Sequence, residues 1–165
     1  MDSWAAPWGT LGAILPGGQY MFDAEGSDHA QARSPKAVEL RISAQLENLA
    51  VVRTVIGAIG TFEDLDLDAV ADLRLAVDEA CTRLIKSATA GSNLVLVIDP
   101  RENELVIDVS ASSTVEDILT PGSFSWHVLT SLTDDVRTFR DGADLDGIGP
   151  VFGISLTTRR VSPAR

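Results

Sequence analysis

Two apolar runs, Leu94-Val-Leu-Val-Ile98 and Leu105-Val-Ile-Asp-Val109, flank the polar segment Asp99-Pro-Arg-Glu-Asn103. β-Branched residues dominate both runs, and a polar turn separates them, so the pair predicts an antiparallel hairpin. The pattern around it is regular from Ala37 onward. Val38, Leu40 and Ile42 alternate with Glu39, Arg41 and Ser43, the mark of a half-buried strand. Leu46, Leu49, Val52, Ile56 and Ile59 recur at three or four, which predicts a helix over 46–60 closed by Gly60-Thr61. Asp66 or Asp68 can cap the next helix. Its buried stripe is Val70, Leu73, Val77, Cys81, Leu84 and Ala88, and Gly91-Ser-Asn93 ends it. A Ser-rich loop over 110–121 leads to a short helix over 123–133, with Phe124, Val128 and Leu132 inward. Residues 136–140 form a strand, 141–150 a loop rich in Gly and Asp, and 152–158 a last strand. Hairpins dominate and the helices cluster between strands. The fold class is therefore α+β, with helices packed on one face of a mixed, mainly antiparallel sheet.

Length and charge narrow the function. A chain of 165 residues with 45% hydrophobic content can bury the core of one domain, expected over 36–160, with a short C-terminal tail over 161–165. Residues 1–35 carry Pro7, Pro16 and Pro35 and no periodicity, and read as a flexible N-terminal tail despite Trp4, Trp8, Tyr20 and Phe22. The formal net charge of -11 argues against direct nucleic-acid binding, which needs a basic surface. It suits a basic protein partner, although solubility alone also explains it. Cys81 is the one cysteine, so no internal disulfide forms and a reducing compartment is expected; on the helix stripe it reads as a small buried hydrophobe. His29 and His127 have no metal-ligand neighbours, so no metal is expected. No signal peptide or membrane span is visible, with Arg33 the first basic residue, and the expected location is cytoplasmic.

The helix over 72–88 holds the strongest chemical signal. Glu79 and Arg83 stand four residues apart on one helical face and can touch. Taken alone they are an ordinary solvated ion pair. Their context says more. The segment Ala69-Val-Ala-Asp-Leu-Arg-Leu-Ala-Val-Asp-Glu-Ala80, the segment Ser123-Phe-Ser-Trp-His-Val-Leu-Thr-Ser-Leu-Thr-Asp-Asp-Val136 and the element order together resemble the GHKL (Bergerat) ATPase fold. Within it the chain is similar to bacterial anti-sigma factors of the RsbW type, above all the actinobacterial form that restrains sigma F. The resemblance covers roughly 36–160.

That resemblance implies a set of site positions. Glu79 stands where the family places its general base. Arg83 stands where the family has an asparagine that ligates Mg²⁺; a guanidinium has no lone pair to offer and repels a cation. Ala111 replaces the adenine-binding aspartate and Ser113 a glycine. Gly122 remains in the phosphate loop, while Ser123 and Ser125 take glycine positions, each adding a Cβ near the phosphates. Serine hydroxyls can still donate hydrogen bonds, and Arg83 can meet phosphate directly, so ATP stays open as a ligand while Mg²⁺ is disfavoured. The implied function is an anti-sigma factor that sequesters an alternative, sigma F-like factor and is released by anti-anti-sigma antagonists, most simply as a homodimer. Arg53 is a positional guess for partner contact. The alternative is an active serine kinase that uses ATP to phosphorylate its antagonist.

Overall fold

A computed structural model describes residues 32–141 and 148–160 of the chain. The expected tails over 1–31 and 161–165, with Trp4, Trp8, Tyr20, Phe22 and His29, lie outside the described residues, as does 142–147 of the Gly/Asp loop. The strands are β1 (Val38–Ser43), β2 (Asn93–Pro100), β3 (Glu104–Ser112), β4 (Asp135–Asp141) and β5 (Val151–Arg159); the helices are α1 (Leu49–Phe62), α2 (Leu67–Ser87) and α3 (Phe124–Leu132). One sheet runs in the order β1-β2-β3-β5-β4, and every pairing in it is antiparallel. The last strand in the chain is thus inserted between β3 and β4.

Alternation sends one set of strand residues into the core. Leu94, Leu96 and Ile98, Leu105, Ile107 and Val109, and Phe152, Ile154 and Leu156 meet the α2 stripe of Leu73, Val77, Cys81 and Leu84. The stripe is the one the sequence predicts. α2 sits over the middle of the sheet because these residues recur along a single face. Cys81 is fully buried, and burial, aided by the nearby Asp78 charge, pushes its thiol pKa up.

Three local expectations change. The segment expected as one helix over 46–60 begins as a 3-10 turn, Leu46–Asn48, before α1 proper. Gly60 does not close α1. The helix runs to Phe62 and ends in a Schellman motif: Leu65 N–H donates to Gly60 O at 3.1 Å, Asp64 N–H donates to Thr61 O at 3.2 Å, and Asp64 takes the left-handed conformation at φ 57°. Gly60 instead lets the helices approach, since a Cβ there would stand 3.0 Å from Val70 Cγ2. In α3 the inward face is Ser125, Leu129 and, half-buried, Trp126 and Leu132. Phe124, expected inward, is 79% exposed. A buried serine displaced it, and the reason lies in the site described next.

The hairpin end of the sheet is tied by a buried carboxylate. Asp99, 3% exposed, accepts from Ser34 N–H at 3.0 Å and from Arg101 Nε at 3.1 Å. Burial alone would raise its pKa; the hydrogen bonds from Ser34 and the Arg101 charge outweigh that and hold the carboxyl below its ordinary value.

Candidate functional site

Helix α2 carries Glu79 and Arg83 one turn apart, on the side that meets α3. Asp66 caps the helix, its side chain accepting from Ala69 N–H at 2.7 Å, as one of the two candidates expected to do so. Ser125 lies in the first turn of α3, 1% exposed, and not in a loop. Its hydroxyl joins the two helices. Ser125 Oγ donates to Glu79 Oε1 at 2.6 Å and accepts from Arg83 Nε at 2.6 Å; Arg83 Nε also reaches Glu79 Oε1 at 3.3 Å. Acid, hydroxyl and guanidinium form a closed triangle in which both hydroxyl bonds are charge-assisted.

The remaining expected positions are spread around this triangle and each has a local duty. Ala111 lies within β3, pairing with Leu94 and Phe152, and its methyl is part of the apolar core. The loop expected from 110 therefore starts after Ser112. Ser113, 2% exposed, donates through Oγ to Ser87 O at 2.6 Å and accepts from Val115 N–H at 3.1 Å, which ties the loop to the C-terminal turn of α2. Gly122 has φ 85° within Thr120-Pro121-Gly122-Ser123, where Ser123 N–H donates to Thr120 O at 3.1 Å. Proline then a left-handed glycine is a type II turn. A Cβ at Gly122 would meet nothing within 4 Å, so the constraint on this residue is conformational. Ser123 caps α3, accepting from Trp126 N–H at 3.2 Å. The structure thus brings together Glu79, Arg83 and Ser125; Ser113, Ala111 and the Gly122–Ser123 pair serve the loop, the sheet and the helix entry respectively.

Arg53 lies on α1, and its Nε donates to Asp78 Oδ1 at 2.6 Å, bridging the outer faces of α1 and α2. The hydrogen bond that Arg53 donates to Asp78, then the Asp78 charge, raises the Arg53 pKa. Neither Asp78 nor the hub role of Ser125 was visible in the sequence, because each depends on how two helices meet. The loop over 113–123 has a second anchor that pattern reading also missed. Ile118 and Leu119 are buried in the core, while Arg140 donates to Glu116 O and stacks over the Phe152 ring at 5.3 Å.

A family model described as a histidine kinase-like ATPase domain matches residues 42–145. The chain is also 57% identical over 156 residues to the Anti-sigma-F factor RsbW of Mycobacterium tuberculosis, in strains CDC 1551 / Oshkosh and ATCC 25618 / H37Rv alike, which covers 94% of this chain and 92% of that protein. The chain belongs to the RsbW anti-sigma-F family. Its α+β fold is the GHKL-like ATPase domain of that family. No helix among the described residues is long and apolar enough to cross a membrane. For an RsbW-family chain the ATPase ancestry raises the question of ATP and magnesium. The donor set beside Glu79 does not fit magnesium: residue 83 presents a guanidinium already hydrogen-bonded to Glu79 and Ser125, with no lone pair for a cation.

Proposed function

We infer that this chain is a cytoplasmic anti-sigma factor that binds a sigma F-like RNA polymerase sigma factor and keeps it from the polymerase core. Release comes from anti-anti-sigma proteins that compete for the anti-sigma factor, and the working form is a homodimer. The observation that carries this reading is the 57% identity, spread over 94% of the chain, to a protein named for that role. The net charge of -11 supports it, since a sigma factor presents basic DNA-reading surfaces. Glu79 keeps the general-base position, yet its carboxylate is engaged by Ser125 and Arg83. The residues around it serve binding and stability better than phosphoryl transfer, and the kinase alternative is the weaker reading.

Transcription driven by the host's sigma F-like factor tests the main reading. Saturating amounts of this chain should silence it, and an anti-anti-sigma protein should restore it. Undiminished transcription would reject the reading. For the kinase alternative, labelled ATP and the antagonist should give no labelled serine; transfer that disappears in Glu79→Ala would reinstate it.

A further inference from the structure

The face of the sheet turned away from the helices carries an apolar patch of its own. All three helices send residues into the core, which lies on the side of Leu94, Leu96, Ile98, Leu105 and Ile107. Val95, Val97 and Asp99 of β2 and Val106 of β3 therefore point to the opposite face, beside Glu39 and Arg41 of β1. Among the described residues no helix or second sheet stacks on that face. Yet Val95, Val97 and Val106 are only 8%, 6% and 7% exposed, and none of them belongs to the core on the helix side. Beyond Val106 the same face turns polar, where Ser155, Thr157, Asp135 and Arg137 line an open hollow of about 290 Å³. The valines are thus a bounded patch, flanked by charged β1 residues on one side and by the hollow on the other.

The chain enters the sheet on this face. Ser34 N–H donates to Asp99 Oδ1 at 3.0 Å, and Arg33 pairs with Glu39 at 3.2 Å; both acids point away from the helices. Asp99 is in register with Val106, and Glu39 with Val97, so residues 33 and 34 are fastened at the rim of the valine patch. Residues 1–31 precede them. The apolar run nearest this anchor is Tyr20-Met21-Phe22, ten residues before Ala32. Ten extended residues reach up to about 33 Å, whereas Val95, the valine farthest from Asp99, lies four residues along β2, about 13 Å away. We propose that Tyr20-Met21-Phe22 folds back onto Val95, Val97 and Val106, so that the N-terminal segment straps the open face of the sheet. A single chain already buries these valines, which favours a segment of the same chain over a second copy as their cover. Two aromatic rings supply the contact area that the patch calls for, and the strap keeps an apolar face from other chains. The proposal does not depend on the anti-sigma reading.

The full chain with labelled valine methyl groups tests this by nuclear Overhauser contacts. The methyls of Val95, Val97 and Val106 should meet the ring protons of Tyr20 and Phe22 within one chain, and a mixture of labelled and unlabelled chains separates these contacts from those between chains. Phe22→Ser should abolish its share of the contacts and lower Tm by at least about 3 °C. In a chain already carrying Val97→Ala, the same Phe22→Ser change should lower Tm by less, because the two side chains share one contact. Valine methyls that meet neither ring, with a Tm unmoved by Phe22→Ser, overturn the strap. Contacts seen only between differently labelled chains overturn it too, and give this face to a second copy of the protein.

Discussion

Removing the Ser125 hydroxyl is the sharpest test of how α2 and α3 are held together. Ser125→Ala deletes one oxygen that is 1% exposed and takes two hydrogen bonds with it, each 2.6 Å long and each to a charged partner. Bonds to charged groups contribute about 1.5–3 kcal/mol apiece when well buried. The discount here is large, because the Arg83 and Glu79 side chains are 43% and 30% exposed and can recover water. They also keep their own i,i+4 contact, worth about 0.3–0.5 kcal/mol. A net loss of about 1.5–2.5 kcal/mol follows. For a chain of this size each kcal/mol lowers Tm by about 2–4 °C, so the variant should melt roughly 3–10 °C lower, and its urea midpoint should fall with an unchanged slope. Arg83→Met and the double variant complete a cycle, whose coupling should exceed about 0.5 kcal/mol. A Ser125→Ala protein as stable as its parent, or a cycle with no coupling, would refute the triangle as a fastening between the helices.

Asp99→Asn should cost about 1–2 kcal/mol at neutral pH by weakening charge-assisted bonds to Ser34 and Arg101. The folded carboxyl titrates below its unfolded value, so this stability is full above about pH 4 and fades as pH falls through the folded pKa; urea midpoints of the two proteins should converge in acid. Gly153 pairs with Phe139 across β4 and β5, and a Cβ there would lie 2.1 Å from Phe139 Cζ. Gly153→Ala must therefore swing the ring away, losing about 1 kcal/mol in thermal or urea unfolding, whereas the same change made in Phe139→Ala should be neutral or stabilising. Gly122→Ala places a Cβ at φ 85° in open space and should cost about 1 kcal/mol from backbone strain alone, read by the same unfolding assay; a neutral outcome would mean the turn relaxes.

The parts legible in the sequence are those fixed by local periodicity. Two β-branched apolar runs around a polar turn mark the β2–β3 hairpin, and the three-and-four spacing from Val70 to Leu84 marks the buried face of α2. Residues whose role depends on a distant neighbour were misread. Gly60 looked like a stop signal because glycine often ends helices, while Val70 is what requires it. Phe124 looked buried because it is apolar, but the adjoining face of α2 offers Glu79 and Arg83, and a hydroxyl satisfies them where a phenyl ring cannot. The pairing of Glu79 with Arg83 was readable from spacing. Its closure by Ser125 was not, since Ser125 lies forty-two positions after Arg83, beyond the whole β2–β3 hairpin. The position of β5 between β3 and β4 was equally hidden, because an alternating strand does not announce which neighbours it will choose.

That placement of β5 governs when the molecule can come into being. During synthesis the first three strands and both long helices leave the ribosome able to associate, but β4 has nothing to pair with until Val151–Arg159 arrives. Until then β3 keeps an unpaired margin, the kind of edge on which nascent chains aggregate. Clipping the final strand from the finished protein would reopen the same seam, so a protease acting there would remove β4 from the sheet without cutting the backbone of β4 itself.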